Sequence, residues 1–252
     1  MELTLVRNAT LVLEMGGRRL LLDPMLDPAG ARGPVPNTAD PRPNPLVGLP
    51  RPAEELVDGV DAVLVTHLHS DHLDDTAVRL LRPRVPVACQ PADEAVLREE
   101  RGFADVRPAA GGLDLCGIGV ARTGGRHGTG AIGERMGPVS GFVLRAPGEP
   151  ALYVAGDTIW CDEVADALAE HGPDVVVVNA GAARFLEGDP IIMDAGDVVE
   201  TAQAAPRAVV VAVHMEALNH CPLSRRELRE AVDAAGVGAR VRIPADGATL
   251  EF

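Results

Sequence analysis

The stretch "THLHSDHLDD" (Thr66–Asp75) decides which fold and which chemistry this sequence predicts. His67 and His69 follow an apolar run typical of a buried strand, and in extended backbone both side chains project to the same side. Asp71 and His72 come next, where the chain turns towards a helix. Imidazole and carboxylate groups are ligands of Zn²⁺, Fe and Mn²⁺, and these four are enough for parts of two adjacent sites. The stretch therefore predicts a metal centre, against the alternative of four polar residues on an exposed loop.

Strands and helices alternate along most of the chain. The predicted strands are residues 3–6, 10–15, 18–24, 61–67, 85–90, 141–147, 151–157, 174–181, 207–214 and 239–244. The predicted helices are residues 74–82, 92–101, 161–171, 194–205 and 224–236. Continuous valine runs in the strands indicate sheets that are covered on both faces by helices. The pattern predicts an α/β fold of two packed halves with no boundary between independent domains.

The segment from Pro28 to Pro52 interrupts this pattern. It holds eight of the 21 prolines, so neither a helix nor a central strand is expected there. A loop of this length inside a compact domain is usually functional or disordered. We interpret it as a surface loop that folds over a site, and a rigid connector is the alternative.

Composition and charge exclude several classes of partner. The chain has 252 residues, 46% of them hydrophobic, and a formal net charge of -14. That charge disfavours nucleic acids and anionic membranes, which need a basic surface. Charged residues interrupt the apolar stretches, so no signal peptide and no transmembrane helix are expected. The four cysteines are scattered along the chain, which is typical of a protein in the reducing cytoplasm. We expect a cytoplasmic protein whose partner is a small-molecule substrate. The sequence neither predicts nor excludes a homo-oligomer.

The motif THxHxDH, matched within Thr66–His72, resembles the hallmark of the metallo-β-lactamase superfamily. Further superfamily motifs are resembled, in the expected order, by "RTGGRHGTG" (122–130), "LYVAGDT" (152–158) and "VVVAVHM" (209–215). The resemblance implies one metallo-β-lactamase-fold domain over residues 1–252. Its architecture would be an α/β four-layer αβ/βα sandwich with the metals at one edge between the sheets.

The resemblance also implies a ligand set for two divalent metal ions, with Zn²⁺ expected first and Mn²⁺ or Fe as alternatives. The first ion would be held by His67, His69 and His127, the second by Asp71, His72 and His214, with Asp157 shared between them. Two of these residues have simpler readings: His127 as a turn residue, and Asp157 as the N-cap of the helix at 161–171.

Such a centre implies a binuclear hydrolase that cleaves an ester, lactone or phosphodiester of a small anionic metabolite through a metal-bound hydroxide, with Asp71 orienting the water. The chain is most similar to the subgroup of L-ascorbate-6-phosphate lactonase and N-acylphosphatidylethanolamine-hydrolysing phospholipase D. True metallo-β-lactamases carry a cysteine where this chain has Asp157. An iron-dependent redox enzyme and a non-catalytic metal-binding module are the alternatives.

Four residues are candidates for contacts with the substrate. Arg184 and Arg126 could bind a phosphate or carboxylate, or be solvated surface arginines. Trp160 could line the pocket or pack against the neighbouring helix. His220 follows His214 by six residues, and we interpret it as a substrate-facing acid for the leaving group, against the alternative that it caps local structure.

Overall fold

Two mixed β-sheets face each other in the computed structural model, which describes residues 1–81, 83 and 85–252. The first sheet contains β1 (Glu2–Arg7), β2 (Thr10–Met15), β3 (Arg18–Leu22), β4 (Ala62–Val65), β5 (Val87–Cys89), β6 (Val106–Pro108) and β14 (Thr249–Glu251). The second contains β7 (Leu113–Leu115), β8 (Ile118–Thr123), β9 (Gly141–Arg145), β10 (Leu152–Val154), β11 (Val175–Asn179), β12 (Val209–Val213) and β13 (Val241–Arg242).

Each sheet is antiparallel at one end and parallel at the other. The first has the order β14-β1-β2-β3-β4-β5-β6 and becomes parallel from β3 onwards. The second has the order β13-β12-β11-β10-β9-β8-β7, with β10 to β13 parallel. Ligands of open α/β sheets bind beyond the carboxyl ends of parallel strands, so this topology marks one edge of each sheet as the place for a site.

Helices cover the outer face of each sheet. The helices are α1 (Ala53–Val57), α2 (Asp75–Leu81), α3 (Gly130–Met136), α4 (Asp162–His171), α5 (Ala195–Ala204) and α6 (Arg225–Ala234). Apolar residues of α1 and α2 pack on the first sheet, and those of α4, α5 and α6 pack on the second. A third apolar cluster lies between the sheets. The predicted four-layer αβ/βα sandwich is confirmed.

The valine runs explain why the strands lie between two apolar layers. In β11, Val175 and Val177 face the cluster between the sheets, whereas Val176 and Val178 face the helices. Because side chains alternate along a strand, a continuous apolar run buries both faces. All four valines are at most 1% exposed.

Several elements differ from the sequence prediction. Residues 92–101 do not form one α-helix: a 3₁₀ turn at Pro91–Asp93 precedes a π-helical turn at Val96–Glu100. Strands β6, β7 and β8 were not predicted. β6 and β7 have three residues each, and β8 contains a glycine and ends in an arginine and a threonine, so none forms a long apolar run. The strand at 239–244 is not the last one, since β14 returns to pair with β1. The predicted helix 74–82 is seen as α2, and Arg82 lies outside the described residues.

The proline-rich segment is a loop without helix or strand, as predicted. Asn219, in the loop after β12, fastens it in place. Its side chain donates to Thr38 Oγ1 at 2.7 Å and to the Asp40 carbonyl at 2.6 Å, and accepts from Val35 N–H at 3.0 Å and Asn44 Nδ2 at 2.7 Å. The segment is therefore anchored to the second sheet at the edge where the parallel strands end.

Replacement of Asn219 by alanine is expected to release this loop without unfolding the sheets. The loss of several buried hydrogen bonds should lower the free energy of unfolding by about 1–3 kcal/mol. Amide hydrogen exchange should speed up for Val35 and Asn44 but not for strand β11. Thr38→Val, which removes one of the Asn219 bonds together with the bonds from Thr38 Oγ1 to carbonyls of the loop itself, is the milder control. Unchanged exchange in Asn219→Ala would contradict this anchoring.

Candidate metal centre

Seven ligand-type side chains meet at the edge of the sandwich where strands from both sheets end. His67 and His69 follow β4 of the first sheet, while Asp157 follows β10 and His214 follows β12 of the second. The remaining three are Asp71, His72 and His127. Their candidate ligand atoms form two groups, His67–His69–His127 and Asp71–His72–Asp157–His214, and within each group all atoms lie within 4.8 Å of one another. The structure thus brings together every residue that the sequence predicted as a metal ligand.

The carboxylate of Asp157 lies between the two groups. Its Oδ2 is 3.5 Å from His127 Nε2 and 3.9 Å from His67 Nε2. Its Oδ1 is 3.3 Å from His72 Nε2 and 3.7 Å from His214 Nε2. One oxygen therefore faces each group, which is the arrangement of a carboxylate that bridges two cations. Asn179, the last residue of β11, holds Oδ1 by donating from Nδ2 at 2.6 Å.

Hydrogen bonds on the far side of the rings set their tautomers. His72 Nδ1 is 2.8 Å from Asp23 Oδ2, and His127 Nδ1 is 2.8 Å from the Ile191 carbonyl. Because carboxylate and carbonyl oxygens only accept, each Nδ1 carries the hydrogen and each Nε2 keeps a lone pair for a metal. Ring orientation and ligand basicity are thereby fixed before a metal binds.

Thr66 connects Asp23 to His67, a ligand-type residue of the group His67–His69–His127. Its Oγ1 donates to Asp23 Oδ2 at 2.7 Å, so it can accept from His67 Nδ1, which lies 3.1 Å away. Asp23 was not predicted as a site residue, although an acidic residue directly after β3, the strand beside β4, was a usable signal. One buried carboxylate therefore supports ligands of both groups.

His214 is held in a backbone conformation that few side chains adopt. Its φ is +62°, and its N–H donates to the carbonyl of Asn8 at 2.8 Å. The Asn8 side chain donates to the Asp71 carbonyl at 3.1 Å, so the β1–β2 turn ties two ligands of one group together. His214 Nδ1 lies 3.5 Å from Cys221 Sγ. Such strain persists only where the surroundings enforce it, as at functional sites.

The electrostatics of the centre favour positive charge. Burial opposes ionisation of Asp157, but the imidazoles of His72 and His214 hold the pKa of this carboxyl well below its usual range. Burial likewise opposes protonation of His72 and His214, but Asp157 and the other acidic neighbours raise the pKa of both imidazoles. For His67 and His127 burial prevails and lowers the pKa. The same carboxylates that raise the two pKa values would stabilise a divalent cation.

The residues present fit a divalent metal centre. The Nε2 atoms of His72 and His214 are buried and have no hydrogen-bond partner among the described residues. Buried polar atoms of this kind normally have a partner. A metal ion would be a suitable partner here, because it accepts the lone pair of each Nε2 and its positive charge is balanced by the nearby carboxylates.

His220 stands outside both ligand groups and lines two cavities beside them. A cavity of about 230 Å³, here called the inner cavity, is shared by His220 and Asp71 and is walled by the proline-rich loop at 32–36. A second cavity of about 360 Å³, the outer cavity, is shared by His220 and Arg184. The loop therefore lines the space next to the centre, as one of the two interpretations expected. Burial lowers the pKa of His220 to about 4, so the imidazole is neutral at pH 7.

The three other predicted substrate contacts have different surroundings. Arg184 lines the outer cavity, and its guanidinium has no partner among the described residues. Arg126 lies beside His127, but its guanidinium pairs with Glu163 at 3.0 Å. Trp160 packs half-buried against the cluster under the outer helices and lines neither the inner nor the outer cavity. Packing, the alternative for Trp160, is what the structure shows.

Comparison with known proteins places the chain in a family. The family model for the beta-lactamase superfamily domain matches residues 18–215. The chain is 39% identical to the UPF0173 protein YddR of Bacillus subtilis and 30% identical to a UPF0173 metal-dependent hydrolase of Opitutus terrae, with 100% of both chains covered in each case. It is also 37% identical to the solved structure of an isothiocyanate hydrolase from Delia radicum gut bacteria, with a TM-score of 0.93 over 100% of this chain and 99% of that one.

The chain belongs to the UPF0173 family of the beta-lactamase superfamily. It is a metal-dependent hydrolase, as the sequence predicted. The finer likeness to the lactonase and phospholipase D subgroup stays a prediction. No helix in the described part of the chain has the length and apolar character needed to cross a membrane.

Asp23→Asn is expected to weaken metal binding through the two imidazoles that Asp23 supports. Loss of a carboxylate behind a ligand typically costs about 10–100-fold in metal affinity. Competition with a chromophoric chelator would measure it. Asp74→Asn is the matched control, since Asp74 is also buried but accepts from Asp27 and Ala77 N–H rather than from a ligand. Equal losses in the two variants would contradict the assignment.

His214 and His220, the two histidines after β12, are expected to have different functions. His214→Ala should lose bound metal, because it removes a ligand atom of one group. His220→Ala should keep its metal while kcat falls by about 100-fold, the scale of losing one hydrogen-bonding group at the reacting atoms. Metal content by elemental analysis and steady-state rates would test the pair. Loss of metal in His220→Ala would show that the two roles are reversed.

Proposed function

We propose that this chain is a binuclear hydrolase that cleaves small isothiocyanates. The observation that carries the binuclear part is the position of Asp157, with one carboxylate oxygen towards each ligand group. The substrate class is supported by the full-length similarity to an isothiocyanate hydrolase and by the largely apolar walls of the outer cavity. The scattered, unpaired cysteines support a cytoplasmic location within this proposal.

The metals would be held by the two groups of ligands. When bound, two divalent ions, Zn²⁺ in the first place, would supply an activated water as nucleophile and polarise the N=C=S group of the substrate. Asp71 contributes to the inner cavity and has Oδ2 3.3 Å from His214 Nε2. It is placed to accept a hydrogen bond from the attacking water and so to orient it.

The reaction balances without a further reactant. Addition of water to R–N=C=S forms a bond between the water oxygen and the central carbon, and cleavage of the carbon–nitrogen bond then gives R–NH₂ and carbonyl sulfide. Both protons of the water end on nitrogen. His220 is neutral and its buried Nδ1 has no partner among the described residues, so it is placed to hydrogen-bond the reacting group rather than to act as an imidazolium acid.

A second candidate is hydrolysis of an ester or lactone that carries an anionic group. The unpartnered guanidinium of Arg184 on the outer cavity favours it. A phosphodiester has weaker support, because Arg126 pairs with Glu163 at 3.0 Å and Arg32 pairs with Asp27 at 3.2 Å. Those two cations are already neutralised locally.

Turnover by the Zn²⁺- and Mn²⁺-loaded protein would test the proposal. Methyl and 2-phenylethyl isothiocyanate should be hydrolysed with release of the amine, and chelation of the metals should abolish the reaction. Arg184→Gln should change kcat/KM for these neutral substrates by less than about threefold, because no charge pairs with the guanidinium. Hydrolysis of carboxylated lactones that falls at least tenfold in Arg184→Gln, with isothiocyanates untouched by the native protein, would favour the second candidate. Oxygen consumption by the iron-loaded protein without any hydrolysis would overturn both.

A further inference from the structure

The thiol of Cys221 lies behind the ring of His214, on the side that faces away from Asp71. The Nε2 atom of His214 is 3.3 Å from Asp71 Oδ2, while its Nδ1 is 3.5 Å from Cys221 Sγ. Both residues are buried, with 1% of His214 and 8% of Cys221 exposed. Cys221 is therefore the hydrogen-bond partner that the described part of the chain provides for this nitrogen.

This contact decides where the hydrogen of the His214 ring lies. A neutral imidazole carries one ring hydrogen, so Nε2 keeps a lone pair for a metal only when the hydrogen is on Nδ1. Cys221 Sγ then accepts from Nδ1–H, as the carboxylate of Asp23 accepts from His72. A thiol sulfur is a weaker acceptor than a carboxylate, but it satisfies a buried N–H that would otherwise need a water molecule.

Close packing around Gly181 holds the thiol in this position. A Cβ on Gly181 would clash with the His214 carbonyl and would lie 2.9 Å from Cys221 Cβ and 3.0 Å from its Sγ. The Cys221 N–H donates to the Leu218 carbonyl at 3.2 Å, and the Leu223 N–H donates to the Gly181 carbonyl at 3.2 Å. The sulfur is thus fixed between the segment after β11 and the ring of His214.

The other three cysteines have different surroundings. Cys89 packs in the apolar cluster under α1 and α2, and Cys161 Sγ lies 3.5 Å from Thr158 Oγ1. Cys116 is partly exposed in the turn between β7 and β8. Within the described residues, Cys221 is the cysteine whose thiol contacts a ligand-type ring.

We propose that Cys221 is a positioning residue for metal binding, whose sulfur holds the His214 ring in the tautomer and orientation that make Nε2 a ligand. The inference rests on the metal centre of the proposed function and does not depend on the substrate. Loss of the sulfur should weaken binding of the ion held by the group Asp71–His72–Asp157–His214 and leave the other group unaffected. Groups behind a ligating histidine typically change metal affinity by about 10–100-fold, and a weak acceptor belongs at the lower end of that range.

Comparison of Cys221→Ala with Cys89→Ala tests this role. Cys89 is the matched control, because it is also buried but packs among apolar side chains rather than against a ligand. In competition with a chromophoric chelator, Cys221→Ala should bind one Zn²⁺ ion about tenfold more weakly, whereas Cys89→Ala should keep the native affinities. An unchanged affinity for every bound ion in Cys221→Ala, or an equal loss in Cys89→Ala, would overturn the proposal.

Nuclear magnetic resonance of the native, Zn²⁺-loaded protein tests the hydrogen bond itself, without relying on the folding of a variant. With isotope-labelled histidine, Nδ1 of His214 should be protonated. Its proton should exchange slowly with water and show a nuclear Overhauser effect to the β protons of Cys221. An unprotonated Nδ1, or a proton without this effect, would overturn the proposal.

The outcomes separate this inference from the proposed function, because neither measurement uses a substrate. A native protein that hydrolyses no isothiocyanate, but shows the expected loss of affinity in Cys221→Ala and the expected His214 proton, would overturn the proposed substrate alone. It would still support the role of Cys221.

Discussion

The carboxylate of Asp157 is the constraint on which the rest of the centre depends. It is buried, ionised and placed between four imidazoles, which is stable only if cations or protons balance its charge. Its position requires β10 of the second sheet to end against β4 of the first. Gly156 permits this approach: it has φ +72°, and a Cβ there would lie 2.7 Å from the Ser140 carbonyl and 3.3 Å from Thr66 Cβ. The packing of the two sheets against each other therefore also sets the position of the carboxylate in the site.

Residues behind the ligands orient the side chains that would bind the metal. Asp23 holds Thr66 and His72, and Asn8 links His214 to Asp71. These contacts cross between elements that are distant in sequence, so the ligands are oriented by residues from other parts of the chain. A metal entering such a site meets rings whose tautomers are already set, and little conformational entropy remains to be lost on binding.

The proline-rich loop shows how substrate selection is added to this rigid centre. Prolines keep the segment out of helices and strands, and Asn219 gives its backbone the hydrogen-bond partners that a sheet would otherwise supply. The loop then forms walls of both cavities beside His220. Chemistry and selectivity therefore come from separate elements: strand ends hold the ligands, and a loop shapes the space in front of them.

The sequence by itself determined the α/β class with sheets covered on both faces and the ligand-type residues within Thr66–His72, because both depend on local patterns. The four-layer arrangement and the ligand roles of His127, Asp157 and His214 were what the resemblance to the superfamily implied. Valine runs require two apolar layers around each strand, and histidines and carboxylates at strand ends need no further information to be recognised as ligand types. It did not reveal β14, the support from Asp23 and Asn8, or the different surroundings of Arg126, Arg184 and Trp160. Those depend on which surfaces meet after folding. Arg126, for example, is not a free cation, because it pairs with Glu163 of α4. Only the tertiary structure decided these points, because hydrogen bonds, ion pairs and cavity walls join residues from separate strands and loops, and sequence separation does not encode their distance.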